Sequence, residues 1–272
     1  MRMAASKVCS KAVAVAKPLL QVTGLTRRFG GIVAADAITL DIAAGEVQAV
    51  IGPNGAGKTT LIGLLSGEIA AQGGSINFDG ADITRLPAYR RSMLGLARSF
   101  QITSLFRDFT ALDNIALAVQ AHRGHSFRFW RDARNEDELR QPALAALTRV
   151  GLAARAGVCV DRLSHGEQRQ LEIAMALASE PRLLLLDEPM AGLGPEESAR
   201  MVQMLRQLKG GVTILLIEHD MEAVFALADR LTVLVYGRII ASGHPEAMRA
   251  DAAVRQAYLG EREADRQGGR HV

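Results

Sequence analysis

The chain contains the stretch Gly52-Pro53-Asn54-Gly55-Ala56-Gly57-Lys58-Thr59, which matches the phosphate-binding pattern G-x-x-x-x-G-K-[ST] at every fixed position. The apolar run at 46–51 before it has strand character, and residues 60–65 after it begin an apolar helix. Strand, glycine-rich loop and helix is the order that such a loop requires. A glycine-rich turn that binds nothing is the alternative, but chance matches seldom bring both flanking elements. The stretch therefore predicts a nucleotide-binding α/β fold.

The residues of this loop have distinct expected roles. Glycines let the backbone wrap a polyphosphate closely and turn its N–H groups inward, and the following helix N-terminus adds positive potential. The positively charged amine of Lys58 would contact the β- and γ-phosphates, and the Thr59 hydroxyl would ligate a magnesium ion. The sequence thus predicts that ATP and Mg²⁺ are bound by Gly52, Pro53, Asn54, Gly55, Ala56, Gly57, Lys58, Thr59 and Thr60.

The composition of the chain is that of an ordinary globular protein. Its 272 residues are 49% hydrophobic and 22% charged, with a net charge of +3. The basic residues are dispersed, so this charge is weak support for a nucleic-acid partner, and none is expected. Cys9 and Cys159 are far apart and lack metal-ligand spacing. No apolar stretch approaches the ~20 residues of a spanning helix, so work at a membrane would require recruitment by a partner.

The residue pattern suggests a division of the chain. We predict a disordered extension at 1–18, a folded domain at 19–260 and a flexible tail at 261–272. Short apolar strands alternate with helices in the domain, and from about 87 to 179 the apolar spacing is helical, which predicts an inserted subdomain. The arginine- and aromatic-rich segment 122–134 is interpreted as a mobile loop. Its aromatic residues would either pin the loop or contact a partner.

Two adjacent carboxylates end a second apolar strand. Leu183-Leu184-Leu185-Leu186 runs directly into Asp187 and Glu188. Alone, an apolar run before Asp-Glu is a common strand end, but together with the phosphate loop it favours a catalytic arrangement. Asp187 would hold the magnesium ion, and Glu188 would polarise the water that attacks the γ-phosphate.

A third motif lies one short helix before these carboxylates, at Leu163-Ser164-His165-Gly166-Glu167-Gln168. Ser164 and Glu167 form an S-x-x-E capping box, which alone would start a helix. In this position, however, the stretch resembles the signature motif of ABC ATPases, and the resemblance then covers nearly the whole chain. It implies a P-loop NTPase with a RecA-like α/β core, an antiparallel β subdomain and an inserted α-helical subdomain.

The resemblance also gives isolated residues an expected role. Phe29 stands where the family has an aromatic residue that stacks on adenine, although core packing of Phe29 is equally open. Gln101 stands where the family's glutamine touches metal and water, and His219 where its switch histidine contacts the γ-phosphate. The resemblance thus implies catalysis by Glu188, His219, Gln101 and Lys58, with Thr59, Gln101 and Asp187 as metal ligands.

In the family, the signature motif completes the site of an opposing subunit. Ser164, Gly166 and Glu167 would therefore contact a nucleotide held by a second ABC ATPase, identical or a paralogue. The family usually has Ser-Gly-Gly-Gln there, so His165 and Glu167 are departures; we expect activity nonetheless. Gly194 replaces the usual aspartate of the dimer-contact loop, which weakens any inference of communication between subunits through that position.

The C-terminal part of the chain narrows the resemblance. Glu218-His219-Asp220-Met221 and the ending from Gly243 resemble the ATPases of branched-chain amino acid importers. Relatives serving urea, amides or aromatic acids share much of this. The implied partners are transmembrane permease subunits and, indirectly, a periplasmic solute-binding protein. The implied location is peripheral, on the cytoplasmic face of the inner membrane.

Other function classes explain fewer motifs. Cytosolic ABC ATPases of DNA repair or translation typically carry zinc cysteine pairs, coiled-coil insertions or fused cassettes, none of which is visible. A phosphate-loop kinase would leave residues 163–168 and His219 unexplained. The resemblance also implies a groove for the permease beside Gln101. Ile102, Leu105 and Phe106 are candidates for that groove, with packing inside the subdomain as an equal alternative.

Overall fold

The computed structural model describes residues 17–99, 105–123 and 137–251. The strands in these ranges are β1 (Leu20–Phe29), β2 (Ile32–Ile42), β3 (Val47–Ile51), β4 (Gly73–Phe78), β5 (Ala81–Asp82), β6 (Leu96–Arg98), β7 (Leu183–Asp187), β8 (Thr213–Ile217), β9 (Arg230–Val235) and β10 (Arg238–Gly243). The helices are α1 (Lys58–Ser66), α2 (Ala88–Met93), α3 (Ala111–Arg123), α4 (Asp137–Arg149), α5 (His165–Leu177), α6 (Pro195–Leu208), α7 (Met221–Leu227) and α8 (Pro245–Ala250).

The larger sheet carries the phosphate loop. Within the described ranges its strand order is β10-β9-β3-β8-β7-β6, and all neighbours are parallel except β10 and β9. Strands β3, β7 and β8 are buried along their whole length, as their continuous apolar sequences predict for parallel strands covered on both faces. Leu184 and Leu186 enter one core, and Leu183 and Leu185 enter the other. The sheet thus separates two cores.

A second, antiparallel sheet covers one face of the molecule. Its order is β2-β1-β4-β5. In β1 the residues Leu20, Val22 and Leu25 are buried and share a core with α1. In β2 the buried residues Ile38, Leu40 and Ile42 alternate with exposed residues, so this sheet has one buried and one exposed face.

Helices α3, α4 and α5 form the inserted helical region. Their buried side chains, such as Ile115, Leu147 and Leu171, belong to the same core as Leu184 and α6. The helical region is therefore packed onto the parallel sheet. Among the described helices, none combines the length and the apolar character that crossing a bilayer requires.

A short strand lies within the range from about 87 to 179 in which the sequence shows helical spacing. Strand β6 follows α2 and extends the parallel sheet, pairing from Leu96 opposite Leu183 to Arg98 opposite Leu185. Three residues are too few to show a period, which explains why the pattern missed this edge strand. The terminal segments 1–16 and 252–272 lie outside the described residues, as do residues 124–134 of the segment predicted to be a mobile loop, whereas His122 and Arg123 of that segment belong to α3.

Candidate functional site

The phosphate loop follows β3 and is shaped by glycines that no other residue could replace without movement. Gly57 has φ +103, and a Cβ there would lie 2.2 Å from the carbonyl oxygen of Ala34. A Cβ at Gly52 would lie 2.0 Å from the carbonyl oxygen of Leu234. The backbones of β2 and β9 therefore lie directly against the loop. The loop backbone forms a cradle of the kind that fits a polyphosphate.

Lys58 and Thr59 follow the loop at the start of α1. The Lys58 amine donates hydrogen bonds to the carbonyl oxygens of Gly52, at 2.6 Å, and Pro53, at 3.0 Å. These bonds hold the charge over the loop. Thr59 is exposed and Thr60 is partly buried, so the Thr59 hydroxyl is open to a ligand.

Three parallel strands bring the phosphate loop, Glu188 and His219 to one edge of the sheet. Val50 of β3 and Asp187 of β7 are both paired with Ile217 of β8. The phosphate loop, Asp187 with Glu188, and His219 thus leave the sheet from neighbouring strand ends. Ligands of open α/β sheets bind at this carboxyl edge.

Asp187 is a buried carboxylate that pairs with Arg98. It is 4% exposed, and the Nη2 atom of Arg98 lies 3.3 Å from its Oδ2 atom. Burial raises the pKa of Asp187, and the Arg98 charge partly opposes this. Arg98 also pairs with Glu68. The carboxylate of Asp187 and the hydroxyl of Thr59 are hard oxygen donors, which suit Mg²⁺.

Glu188 has an unusual backbone. Its φ is +49, in the left-handed region that disfavours side chains other than glycine. Its N–H donates to the carbonyl oxygen of Ile217 at 2.9 Å, and its own carbonyl accepts from Ala191 at 3.1 Å. These two bonds fix a turn at the end of β7. The Glu188 side chain is consequently partly exposed, while Asp187 beside it is buried.

His219 leaves the sheet at the end of β8 with 66% of its side chain exposed. The preceding Glu218 is completely buried and accepts hydrogen bonds from the backbone N–H groups of Met190, at 2.9 Å, and His219, at 3.1 Å. Burial raises the pKa of Glu218, against the effect of these bonds. Glu218 therefore ties the turn after Glu188 to the backbone of His219.

Phe29 ends β1 and is 44% exposed, which argues against simple core packing. The Arg27 guanidinium lies 4.7 Å from the centre of its ring. An exposed ring can still offer a face to a base, since aromatic rings prefer stacked or edge contacts.

Ser164 is the N-cap of α5. Its Oγ accepts from the N–H of Glu167 at 3.2 Å, and its own N–H donates to Glu167 Oε2 at 2.9 Å, which completes the predicted capping box. Arg155 Nε donates to Glu167 Oε1 at 2.9 Å. The recess of about 650 Å³ beside Ser164 and Gly166 is lined by α6 and, among the described residues, by none from the phosphate loop.

A family profile described as ABC transporter matches residues 35–191, which is more than half of the chain. The chain belongs to the ABC transporter ATPases. A second family profile matches residues 238–264 and is described as branched-chain amino acid ATP-binding cassette transporter. The chain is therefore an ATP-binding protein of the branched-chain amino acid transporter family, which confirms the resemblance seen in its motifs.

Individual relatives agree with this placement. The branched-chain amino acid transport ATP-binding protein BraF of Pseudomonas aeruginosa is 39% identical over 254 residues, covering 91% of this chain and all of BraF. LivG of Escherichia coli is 37% identical over 259 residues, with 91% of this chain and all of LivG covered. The ADP conformation of MJ1267, an ATP-binding cassette of an ABC transporter, superimposes with a TM-score of 0.80 at 28% identity, over 89% of this chain and 99% of MJ1267.

These comparisons confirm the predicted fold class and the activity of an ABC transporter ATPase. The dimeric cassette MJ0796, bound to ADP and Pi, has the same fold with a TM-score of 0.69 at 24% identity, over 83% of this chain and 98% of MJ0796. Gln101, expected to contact metal and water in this ATPase, lies outside the described residues, as does Ile102.

The departures from the family motifs have clear structural settings. Glu167 accepts hydrogen bonds from the Ser164 backbone and from Arg155, so both of its carboxylate oxygens have partners within this chain. Gly194 is the N-cap of α6 with extended backbone at φ −71 and ψ 166, and a Cβ there would meet nothing within 4 Å. The glycine at 194 is therefore not required by packing.

Sequence reasoning missed three charged residues around the site of this ATPase. Arg98 contacts Asp187, Glu218 supports His219, and Glu197 contacts Ser164 at 3.1 Å. Glu218 had one available signal, because it is a charged residue directly after a buried apolar strand. Arg98 and Glu197 meet their partners only through the fold, and no local pattern marks them.

Proposed function

We propose that this ABC transporter ATPase hydrolyses ATP within a sandwich formed with a second ATPase subunit, and that this energises the import of branched-chain amino acids. The observation that carries the catalytic part is the alignment of β3, β8 and β7, which puts the phosphate loop beside Asp187 and Glu188. A positioned carboxylate beside a phosphate site is the arrangement that in-line attack by water requires.

The proposed roles follow the position of each side chain. The loop 52–57 with Lys58 and Thr60 would cradle the phosphates, and Phe29 would stack on adenine. Thr59, Asp187 and Gln101 would hold the ion; when bound, magnesium neutralises charge on the β- and γ-phosphates. Glu188 would accept a proton from the attacking water, and His219 would contact the γ-phosphate.

The second ATPase subunit supplies the signature motif in this proposal. Ser164 lies at the exposed start of α5, where a nucleotide on another molecule could reach it. Among the described residues, none from the phosphate loop lines the recess beside Ser164, which supports completion of the site by a partner.

The transported solute and the membrane partners are inferred from relatives. BraF and LivG are named for high-affinity branched-chain amino acid transport. By this analogy the chain would sit on the cytoplasmic face of the membrane, bound to permease subunits that receive solute from a binding protein. The recess between α2, β6 and α5 that includes Leu105 is the proposed docking groove for the permease.

The experiment is to reconstitute the chain with its permease and second ATPase subunit in liposomes. Binding protein loaded with leucine, isoleucine or valine should stimulate ATP hydrolysis and solute uptake, whereas the same complex with Glu188→Gln should do neither. Stimulation only by binding proteins loaded with urea, an amide or an aromatic acid would contradict the proposed solute. Hydrolysis without uptake of any solute would contradict the importer role.

A further inference from the structure

A carboxylate from the same chain is bound at the N-terminus of α5. Glu197, in the first turn of α6, accepts a hydrogen bond from Ser164 Oγ at 3.1 Å and another from the N–H of Gly166 at 3.2 Å, both at its Oε1 atom. These are the two signature positions nearest the opposing nucleotide in the proposed sandwich. The groups expected to receive a phosphate are thus already used by a carboxylate.

The contact depends on the glycine at position 166. A Cβ there would lie 2.8 Å from Glu197 Oε1 and 3.0 Å from Cδ, so a side chain would push the carboxylate away. Burial opposes ionisation of Glu197, but hydrogen bonds from Ser164 and from the backbone of Gly166 and Gly194 outweigh it and lower the pKa of Glu197. The group is therefore an anion at neutral pH, as helix N-termini favour.

Glu197 is not needed to orient Ser164. The serine is already fixed by reciprocal bonds with Glu167, and Glu167 is itself held by Arg155. If the only purpose of Glu197 were to position the serine, it would duplicate this capping box. The remaining consequence of the contact is competition, because a carboxylate and a phosphate oxygen cannot both sit on the same donors without repulsion.

We propose that Glu197 is an internal ligand of the signature motif, which occupies Ser164 and Gly166 until the terminal phosphate of a nucleotide on the opposing subunit displaces it. By competing for these donors, Glu197 raises the nucleotide concentration that is needed for the two subunits to associate. The inference rests on the proposed sandwich of two ATPase subunits.

The test uses full-length chain in the Glu188→Gln background, alone and with the second ATPase subunit of its transporter. Sedimentation measures association as ATP is added. Glu197→Gln should lower the ATP concentration at half-maximal association roughly five- to tenfold, because hydrogen bonds to an ionised acceptor are about twice as strong as neutral ones. The matched control is Glu196→Gln, which removes the same charge from a neighbouring side chain that is 92% exposed, and it should change little.

A second measurement tests the contact without association. The backbone amide resonance of Gly166 in the nucleotide-free chain should shift in Glu197→Gln and stay in place in Glu196→Gln; an unchanged resonance would overturn the inference. Equal effects of both variants on association, or none, would also overturn it. If the Glu188→Gln chain does not associate when ATP is added, either alone or with the second subunit, the proposed sandwich is itself contradicted. The competition by Glu197 is then contradicted with it.

Discussion

Glu218 holds the backbone of His219 through a hydrogen bond of 3.1 Å from the His219 N–H to its Oε2 atom. Its other oxygen accepts from Met190, two residues after Glu188. One buried carboxylate thus connects the turns that follow β7 and β8, from which Glu188 and His219 emerge. The relative placement of these two side chains depends on an ionisable group in the core.

The stability of the natural chain relative to Glu218→Gln should depend on pH. The pKa of Glu218 is raised above its ordinary value of 4.5, so the folded state holds this proton more tightly than the unfolded state. Its contribution is fully present below about pH 4.5 and is lost as pH rises through the raised pKa. Urea denaturation of both proteins from about pH 4.5 to pH 8 measures the difference. A difference independent of pH would contradict the prediction.

Glu188→Gln should leave ATP binding intact and lower turnover by roughly 10²-fold or more, the scale on which a positioned base contributes. ATPase assays on the purified complex, with nucleotide binding measured in parallel, separate the two effects. The control is Glu180→Gln, an exposed glutamate that also has a left-handed backbone, at φ +50. Near-normal hydrolysis by Glu188→Gln would remove Glu188 from the proposed mechanism.

Lys58→Ala should weaken nucleotide binding itself, because it removes a charge held over the phosphate loop. Calorimetric titration with ATP measures the affinity. Lys209→Ala is the control, since Lys209 pairs with Asp229 outside the loop. If Lys58→Ala and Glu188→Gln bind ATP equally well, the division of roles between the two residues is wrong.

Glu167→Gln should restore the usual family residue with little change. Glutamine can replace glutamate in the capping box, so only the ion pair with Arg155, which is 51% exposed, is lost. We expect the free energy of unfolding to change by less than about 1 kcal/mol, and ATPase activity to be retained. Arg155→Gln removes the same ion pair and should match it. A large loss of activity in Glu167→Gln alone would mean that the carboxylate has a role at the nucleotide.

The features that local sequence encodes could be predicted, and those that depend on tertiary packing could not. The phosphate loop and the strand ending in Asp187 combine fixed spacing with continuous apolar runs, and both lie where the motifs place them. Strand β6 escaped because three residues show no period. The contacts of Arg98 with Asp187 and of Glu197 with Ser164 join residues 89 and 33 positions apart. Such contacts arise only when sheet and helices pack.

Leu105 takes part in the open recess that is the proposed docking groove. This recess of about 520 Å³ lies between α2, β6, α3 and α5, and Tyr89 and Met93 on its rim are 66% and 62% exposed. Leu105 also packs against the helical core. Phe106 is 55% exposed and its ring lies 5.5 Å from that of Phe109. Leu105 therefore both lines the recess and packs against the helical core, so each of its two predicted roles has support.

Met93→Asp should abolish co-purification with the permease while leaving the isolated subunit folded and able to bind ATP. An exposed methionine contributes little to folding, but a charge placed in an apolar groove would have to be desolvated when a partner helix docks. Leu105→Asp should have the same effect on binding with a larger loss of stability, because Leu105 is half-buried, whereas Phe106 does not line the recess and Phe106→Asp tests the wider groove expected from the sequence. Leu144→Asp, at a 40% exposed position on α4 away from the recess, is the matched control. Affinity capture of the permease, thermal unfolding and ATP titration distinguish the outcomes. Unfolding of Leu105→Asp alone would assign that residue to packing, whereas a folded Met93→Asp subunit that still binds permease and supports transport would refute the groove.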